Sequence, residues 1–164
     1  YASLLVTAGG DSVNEQRNLY MHVLEHGRQN KVVPSLLMNF PIEQKTSLIL
    51  VDSADTTFMV RTLDFPLAVT DTASVIRFMN LSQATISATL KIGAIPFVIR
   101  NINFLNYSSF RYAPLGIHTA YFVDDVSGEV LDSIPNLELR PGRNYNFFLG
   151  SKGGRVRAGY EFLE

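Results

Sequence analysis

The sequence predicts an all-β protein made of two related antiparallel β-sandwich units, of the immunoglobulin or transthyretin type, with the first unit abbreviated. Short runs of β-branched and aromatic residues recur along the chain, and Gly, Pro, Asn, Asp or Ser separate them. The order of these runs also repeats after about a hundred residues. With 164 residues, 46% hydrophobic and 18% charged, the chain can fill a conventional apolar core.

The strand pattern is clearest from residue 74 to the end of the sequence. Each run there has the length of a strand, and no helical period interrupts the series. Many short strands with turns between them are typical of a sandwich or a barrel. The predicted strands are 74–79, 86–92, 95–99, 108–112, 117–124, 137–140, 144–149 and 156–162.

Three glycines mark predicted turns between these strands. Gly93 reverses the chain after Lys91, and Gly128 closes the hairpin that begins at Asp125. Gly142 follows a proline at the centre of a third turn. Glycine adopts a positive φ without steric cost, so we expect all three to have structural roles.

The predicted strand at 144–149 has two unlike faces. Because side chains alternate along a strand, one set of residues shares a face and the next set shares the other. The apolar set predicts a core face, and the amide-rich set predicts a partly wet face. The first set is Tyr145, Phe147 and Leu149, and the second is Asn144, Asn146 and Phe148.

An internal repeat relates residues 19–51 to residues 116–150. Both stretches contain, in the same order, a strand, a glycine turn, a strand with an X-Pro-x-Leu sequence, a turn and an apolar strand. The offset changes only inside turns, where changes of length are tolerated. A repeat of this length predicts a duplicated sandwich rather than a solenoid. Residues 21–23 match 121–123 at an offset of 100, 33–36 match 134–137 at 101, and 46–50 match 145–149 at 99.

The repeat divides the chain into two copies. We assign residues 1–68 to the first, abbreviated copy and residues 74–164 to the second, complete copy. Residues 69–73 are the predicted linker, because the stretch around them has a proline, small polar residues and no alternation.

Residues 13–26 allow two interpretations. Ser12 and Glu15 form a capping-box pattern, and Gly27 stands where a helix could end, so a helix is one interpretation. A strand over residues 19–24 is the other, and the match to the second copy favours it.

Composition excludes several classes of function. The formal net charge is −1, with 14 basic and 15 acidic residues, so the chain offers no basic surface for nucleic acid. The absence of cysteine excludes disulfides and thiol chemistry. No uninterrupted apolar run reaches the ~18 to 20 residues that a membrane-spanning helix needs. The sequence starts at Tyr1 rather than at methionine, which we interpret as the loss of an upstream signal peptide or lipid anchor.

A His-x-x-Glu-His pattern at residues 22–26 is the most catalytic-looking motif. One class of zinc metalloproteases carries this pattern on a helix, where both histidines share a face and the glutamate is the general base. On a strand, His22 and His26 lie about 13 Å apart at ~3.3 Å per residue, which is too far to bind one zinc ion. We therefore interpret the motif as coincidental and predict no catalytic residue and no cofactor.

Two acidic groups and one glycine-rich loop are the remaining candidates for ion binding. Acidic residues in turns commonly accept backbone hydrogen bonds, and neither group has the ligand density of a calcium-binding loop. The glycine-rich loop lacks the strand, loop and helix order of a phosphate-binding loop. We predict no metal site here. The acidic groups are Asp124, Asp125 and Glu129, and Asp52 and Asp55; the loop is 150–155.

The segment 101–112 is the candidate ligand surface, because aromatic residues alternate there with asparagines. Aromatic rings can stack on a sugar while amides hydrogen-bond to it. The favoured alternative is a polar loop that leads into a strand whose aromatic residues cover the core. The surface would consist of Asn103, Asn106, Tyr107, Arg111 and Tyr112.

Aspartates followed by serine or threonine are frequent. Five of the eight aspartates have this neighbour, and a small or apolar residue comes next. Such pairs are ordinary turn formers, which is the favoured interpretation. They also resemble the three-residue O-glycosylation signal of exported Bacteroidetes proteins. The acceptors would be Ser12, Ser53, Thr56, Thr72 and Ser133.

The second copy resembles the bacterial domain of unknown function 4397. The resemblance covers about residues 74–154 and, more faintly, residues 19–51, and the chain departs from it at 83–87, where the family has a Ser-Pro-Asp-Ala-Pro run. The matching segments are 74–82, 88–93, 114–116, 127–128, 137–139 and 142–149.

The resemblance implies an exported β-sandwich of the bacterial cell envelope, often in tandem, with no catalytic residues to transfer. We therefore expect a noncatalytic periplasmic or outer-membrane lipoprotein module with a structural or binding role. The alternative is a surface protein that binds a glycan or a peptide, with a glycan or an envelope protein as its partner. Some members carry an anti-sigma-factor label, but no segment here resembles a sigma-binding helix bundle.

Overall fold

The computed structural model describes residues 3–4, 17–21, 36–40, 45–52, 57–64, 71–93, 97–152 and 155–163. Every regular element in these residues is a β-strand, as the sequence predicts. No helix long and apolar enough to cross a membrane occurs in them. The chain divides into two compact units, unit 1 (Tyr1–Phe65) and unit 2 (Pro66–Glu164).

Unit 1 contains two small antiparallel sheets in its described part. One sheet has the order β1-β4-β5, and the other pairs β2 with β3. The strands are β1 (Ser3–Leu4), β2 (Arg17–Met21), β3 (Leu36–Phe40), β4 (Lys45–Asp52) and β5 (Thr57–Asp64).

Unit 2 contains a five-stranded and a four-stranded sheet. The five-stranded sheet has the order β10-β6-β13-β14, with β9 also paired to β6, and the four-stranded sheet has the order β12-β11-β7-β8. All pairs are antiparallel except β6 with β13. The strands are β6 (Ser74–Asn80), β7 (Ser87–Ile92), β8 (Phe97–Asn103), β9 (Asn106–Tyr107), β10 (Arg111–Ala113), β11 (Gly116–Asp124), β12 (Val130–Leu139), β13 (Asn144–Lys152) and β14 (Arg155–Leu163).

The core of unit 2 lies between these two sheets, as in a β-sandwich. Its buried residues come from both sheets. Phe78 on β6 meets Phe122 on β11 edge to face, with ring centroids 5.6 Å apart. The buried side chains are Ile76, Phe78, Ala88, Leu90, Ile92, Ile99, Ala113, Ala120, Phe122, Leu137, Leu139, Tyr145, Phe147 and Leu149.

The three glycine turns are confirmed. Gly93, Gly128 and Gly142 have φ values of 78°, 75° and 69°, a region that glycine enters without steric cost. The buried Tyr145 also stabilises the turn at Gly142, because its hydroxyl accepts from the Arg140 N–H at 2.8 Å.

The predicted strand at 108–112 is wrong in its extent. β9 and β10 flank a short break instead, because Ser108 bonds back to β6. The Phe78 N–H donates to the Ser108 hydroxyl at 3.1 Å, and the Ser108 N–H donates to the Phe78 carbonyl at 2.9 Å. A bond between the Ser108 hydroxyl and the distant backbone of β6 thus replaces part of the predicted ladder.

The strand predicted at 137–140 begins earlier, at Val130. Pro135, which cannot donate to a ladder, lies inside this strand. β12 is an edge strand of its sheet, where proline is tolerated. The β11–β12 register shifts between His118 and Ala120, and Asn136 has a φ of 53°, so the strand is locally distorted beside the proline.

The core face predicted for β13 is confirmed, because Tyr145, Phe147 and Leu149 are fully buried. The opposite face was predicted to be partly wet, but it is buried at its centre. Asn146 is fully buried there, because the Arg77 side chain of β6 hydrogen-bonds to it.

The internal repeat has a structural counterpart in two hairpins. β4 pairs with β5 as β13 pairs with β14, and the cross-strand pair Thr46 and Leu63 corresponds to Tyr145 and Phe162 at the offset of 99 in both strands. The alternative of a helix over residues 13–26 is wrong for residues 17–21, which form β2.

Candidate functional site

Three connections meet at one end of unit 2, and we call this region the loop end. It consists of residues 81–86 between β6 and β7, residues 104–105 between β8 and β9, and residues 125–129 between β11 and β12. Hydrogen bonds join residues 81–86 to the 104–105 connection and to Asp124, the last residue of β11 before the 125–129 connection. Loops at the end of a sandwich commonly carry its binding residues.

Two aspartates join the 125–129 turn to β7 and to the residues before it. The Thr85 hydroxyl donates to the Asp124 carboxylate at 2.5 Å. The Ser87 and Thr89 hydroxyls donate to the Asp125 carboxylate at 2.6 and 2.5 Å. These bonds hold the turn in one position against β7.

The bond from Thr85 has an electrostatic consequence for Asp124. Together with the backbone N–H groups of Ser127 and Val126, it stabilises the ionised carboxylate and lowers the pKa of Asp124 to about 2. Asp124 is therefore a charged hydrogen-bond acceptor at neutral pH.

The turn at residues 104–105 is held on the other side of the 81–86 connection. The Phe104 N–H donates to the Ile86 carbonyl at 2.9 Å, and the Leu105 N–H donates to the Asn80 carbonyl at 2.8 Å. Leu105 has a φ of 61°, a left-handed conformation that costs free energy for a residue with a branched side chain. The two backbone bonds stabilise this strained turn.

The loop end exposes apolar side chains on this hydrogen-bonded frame. Ile86 is 77% exposed and Val126 is 78% exposed. The side chains of Asn103 and Asn106, both predicted ligand residues, are exposed on either side of the 104–105 turn. The site can therefore offer a partner two apolar contacts and the hydrogen-bonding groups of two amides.

The other predicted ligand residues lie elsewhere. Arg111, on β10, crosses to the second sheet, where its Nη1 donates to the Val98 carbonyl at 3.0 Å and its guanidinium lies 5.6 Å from the Phe97 ring. Tyr107 is half-buried, and Tyr112 is exposed on β10. The structure brings Asn103 and Asn106 together but does not join the five residues into one surface.

Sequence reasoning missed a buried arginine beside Tyr107. Arg77 is 1% exposed, and its guanidinium lies 5.5 Å from the Tyr107 ring and 4.5 Å from the Phe110 ring. Its Nε donates to Asn146 at 3.0 Å, and Asn146 donates to Glu161 at 3.2 Å. The sequence signal that could have revealed this buried arginine is its position as the single charged residue within the apolar run of β6.

The structure describes only some of the residues that were considered for ion binding. Asp124 and Asp125 bind hydroxyl and backbone donors of the protein, as described above. Within the part of the chain that the structure describes, no group of three or more His, Asp or Glu side chains could hold a metal ion. His22, His26 and Asp55 lie outside the described residues.

Two of the predicted glycan acceptors are described. Thr72 is exposed in the turn before β6, and Ser133 is exposed on β12. The carboxylate of Asp132 accepts from the Ser133 N–H at 2.8 Å and from the Ala158 N–H at 2.8 Å. Ser12, Ser53 and Thr56 lie outside the described residues.

Comparisons with known proteins do not assign a family. No protein-family model and no curated protein matches the chain. Among solved structures, the C-terminal domain of AlgF from P. aeruginosa matches with 16% sequence identity and a TM-score of 0.44. The match covers 56% of this chain and 99% of that domain.

Proposed function

We propose that this protein is a noncatalytic, exported module of the bacterial cell envelope, and that it binds an envelope component through the loop end of unit 2. The observation that carries the proposal is that two apolar side chains, Ile86 and Val126, are exposed on connections that hydrogen bonds hold in place. A surface that is ordered before binding loses less conformational entropy when it binds.

The carboxylates of the loop end support a noncatalytic role. A general acid or base works best with a pKa near the operating pH, whereas the pKa of Asp124 is about 2. Asp125 accepts two hydroxyl hydrogen bonds that hold its carboxylate against β7. Both groups therefore have a structural role that accounts for their position.

The exported location rests on the family resemblance and on the Asp-Ser and Asp-Thr sequences. Fractionation of the native host is the direct test, with the protein detected in cytosolic, periplasmic and membrane fractions. We expect it in the envelope fractions, and a cytosolic protein would contradict the proposal. Intact mass of the native protein separates the two interpretations of these sequences: O-glycosylation would add hexose-scale masses at residues such as Thr72 and Ser133, whereas an unmodified mass would leave them as turn formers.

Binding through the loop end is tested by cosedimentation of the purified protein with envelopes isolated from the host. The double variant Ile86→Ser/Val126→Ser should bind roughly tenfold more weakly, because it removes both apolar contacts. Ile117→Ser is the matched control, since Ile117 is 71% exposed on β11, outside the loop end. Equal loss in both variants, or no loss in the double variant, would contradict a site at the loop end.

A glycan is the second candidate partner, because Asn103 and Asn106 present exposed amides next to the 104–105 turn of the loop end. Periodate oxidation of the envelopes destroys sugars, whereas protease treatment destroys proteins. Loss of binding after periodate alone would assign the partner to a glycan, and loss after protease alone would assign it to a protein.

A further inference from the structure

β14 is a long, regular strand at the end of its sheet. It pairs with β13 on one side, and the register runs from Asn144 and Leu163 to Lys152 and Arg155 without a bulge. Natural sheets usually protect such an edge with a proline, a bulge or a covering segment, because its free backbone groups can pair with another strand.

β12 covers the β14 edge at Ala158. The Ala158 N–H points away from β13 and donates to the Asp132 carboxylate of β12 at 2.8 Å. Since backbone groups alternate in direction along a strand, the N–H and C=O groups of Tyr160 and Phe162 point the same way. No hydrogen-bond partner occurs for these groups among the described residues.

Two aromatic side chains mark this open half. Tyr160 is 39% exposed and Phe162 is 53% exposed, and they meet edge to face with ring centroids 5.7 Å apart. Both rings also pack against the buried Tyr145, at 6.2 and 5.0 Å. They are therefore exposed but held in place, as the anchors of an interface usually are.

Positively charged residues lie near one end of the open edge. Arg155 and Arg157 are exposed at the start of β14, and Lys152 stands opposite Arg155. Glu161, the acidic residue of the open half, accepts from Asn146 at 3.2 Å, so an added strand would meet positive charge at the end nearest Arg157. Acidic side chains at that end of the added strand would be favoured.

We propose that the open half of β14, residues 160–163, binds an extended peptide segment of a partner protein by strand addition. The peptide has apolar residues at alternate positions, which contact Tyr160 and Phe162, and acidic residues at its end near Arg157. Backbone hydrogen bonds to the two aromatic residues extend the five-stranded sheet. This site is separate from the loop end and does not depend on export.

Selection of a phage-displayed library of random linear peptides on the purified protein tests this assignment. Enriched peptides should show apolar alternation with an acidic end, and their affinity is measured by fluorescence polarisation. Methylation of alternate backbone nitrogens in the best peptide should weaken binding roughly tenfold, because it removes the donors that strand addition needs. Absence of enrichment, or binding that methylation leaves unchanged, overturns the proposal.

Protein variants locate the bound peptide. Phe162→Thr and Tyr160→Thr should each weaken binding roughly tenfold, whereas Ile117→Thr on β11 should leave it unchanged. Unfolding curves check that each variant is folded. If the two variants are unstable, amide chemical shifts of the unmodified protein decide, and shifts confined to residues outside β14 overturn the proposal. A dimer by sedimentation equilibrium that Phe162→Thr abolishes would assign the edge to a second copy and also overturn it.

Discussion

The two faces of the five-stranded sheet in unit 2 are both buried at their centre, but by unlike chemistry. One face carries apolar side chains such as Phe78 and Phe147, which pack against the opposite sheet. The other carries Arg77, Asn146 and Glu161 in one cross-strand row. The first face is stabilised by the apolar area it removes from water. The second also buries Val75 and Met79, but its polar row is stable because its buried groups have partners.

This difference predicts different responses to mutation. On the apolar face, the cost of a substitution follows the volume that is removed. On the polar face, the cost of a substitution follows the number of donors and acceptors that lose a partner. Removal of one partner therefore costs more than replacement of both partners by apolar residues. The changes below test these rules, from the largest expected effect to the smallest, and the exposed control for Arg77 follows directly after it.

Phe147→Ala should have the largest effect. The side chain is fully buried, with ring centroids 6.5 Å from Phe122, 6.3 Å from Tyr145 and 5.7 Å from Tyr160. Truncation leaves a cavity and should lower the free energy of unfolding by about 3 to 5 kcal/mol, measured by urea denaturation. A loss below about 1 kcal/mol would show that the two sheets are not closely packed there.

Arg77→Met should lower the free energy of unfolding by about 2 kcal/mol, because the Asn146 Oδ1 loses its donor in a buried place. The double variant Arg77→Met/Asn146→Leu should lose less than the sum of the two single variants. Additive losses would contradict a coupled network.

The matched control for Arg77 is an exposed ion pair. Arg140 and Glu138 lie 2.7 Å apart with side chains 66% and 51% exposed. Glu138→Gln should change the stability by less than ~0.5 kcal/mol, because water screens this pair.

Gly159→Ala tests how closely the polar face is packed beside this row. A Cβ at position 159 would lie 2.6 Å from the Phe148 Cε2, so the ring must move. We expect a loss of about 1 kcal/mol in urea denaturation. The loss should fall in a Phe148→Ala background, and an equal loss in both backgrounds would exclude the ring as its cause.

Asp124→Asn tests the loop end through acid stability. The folded-state pKa of about 2 lies below the ordinary value of 3.8, so the carboxylate stabilises the fold at higher pH and this contribution is lost as the pH falls from 4 towards 2. The variant should have a lower melting temperature than the parent at pH 6, and the difference should shrink towards pH 2. A constant difference would contradict the assignment.

The sequence predicted most of the strands because each is a local pattern of apolar residues between turn residues. Gly93, Gly128 and Gly142 were recognisable because a positive φ is a property of single residues. The errors came where distant groups intervened. Ser108 interrupts a strand by bonding to β6, and Pro135 lies in β12 because that strand is an edge.

The candidate site was only partly accessible to sequence reasoning. Asn103 and Asn106 were chosen for their residue type. Ile86 was assigned to the predicted strand 86–92, whereas β7 begins at Ser87, and Val126 carried no local signal, since isolated apolar residues in turns are common. Arg111 was grouped with the ligand residues because it is near them in sequence, whereas it reaches across to β8.

The sequence alone determined an all-β chain, the glycine turns of unit 2 and the core face of β13. These follow from alternation and turn chemistry, both of which are properties of neighbouring residues. The tertiary structure decided that β6 runs parallel to β13, that Arg77 is buried between two rings, and that Asp132 of β12 accepts from the β14 backbone at Ala158. Each of these depends on strands that are far apart in the chain, so no local pattern could predict it.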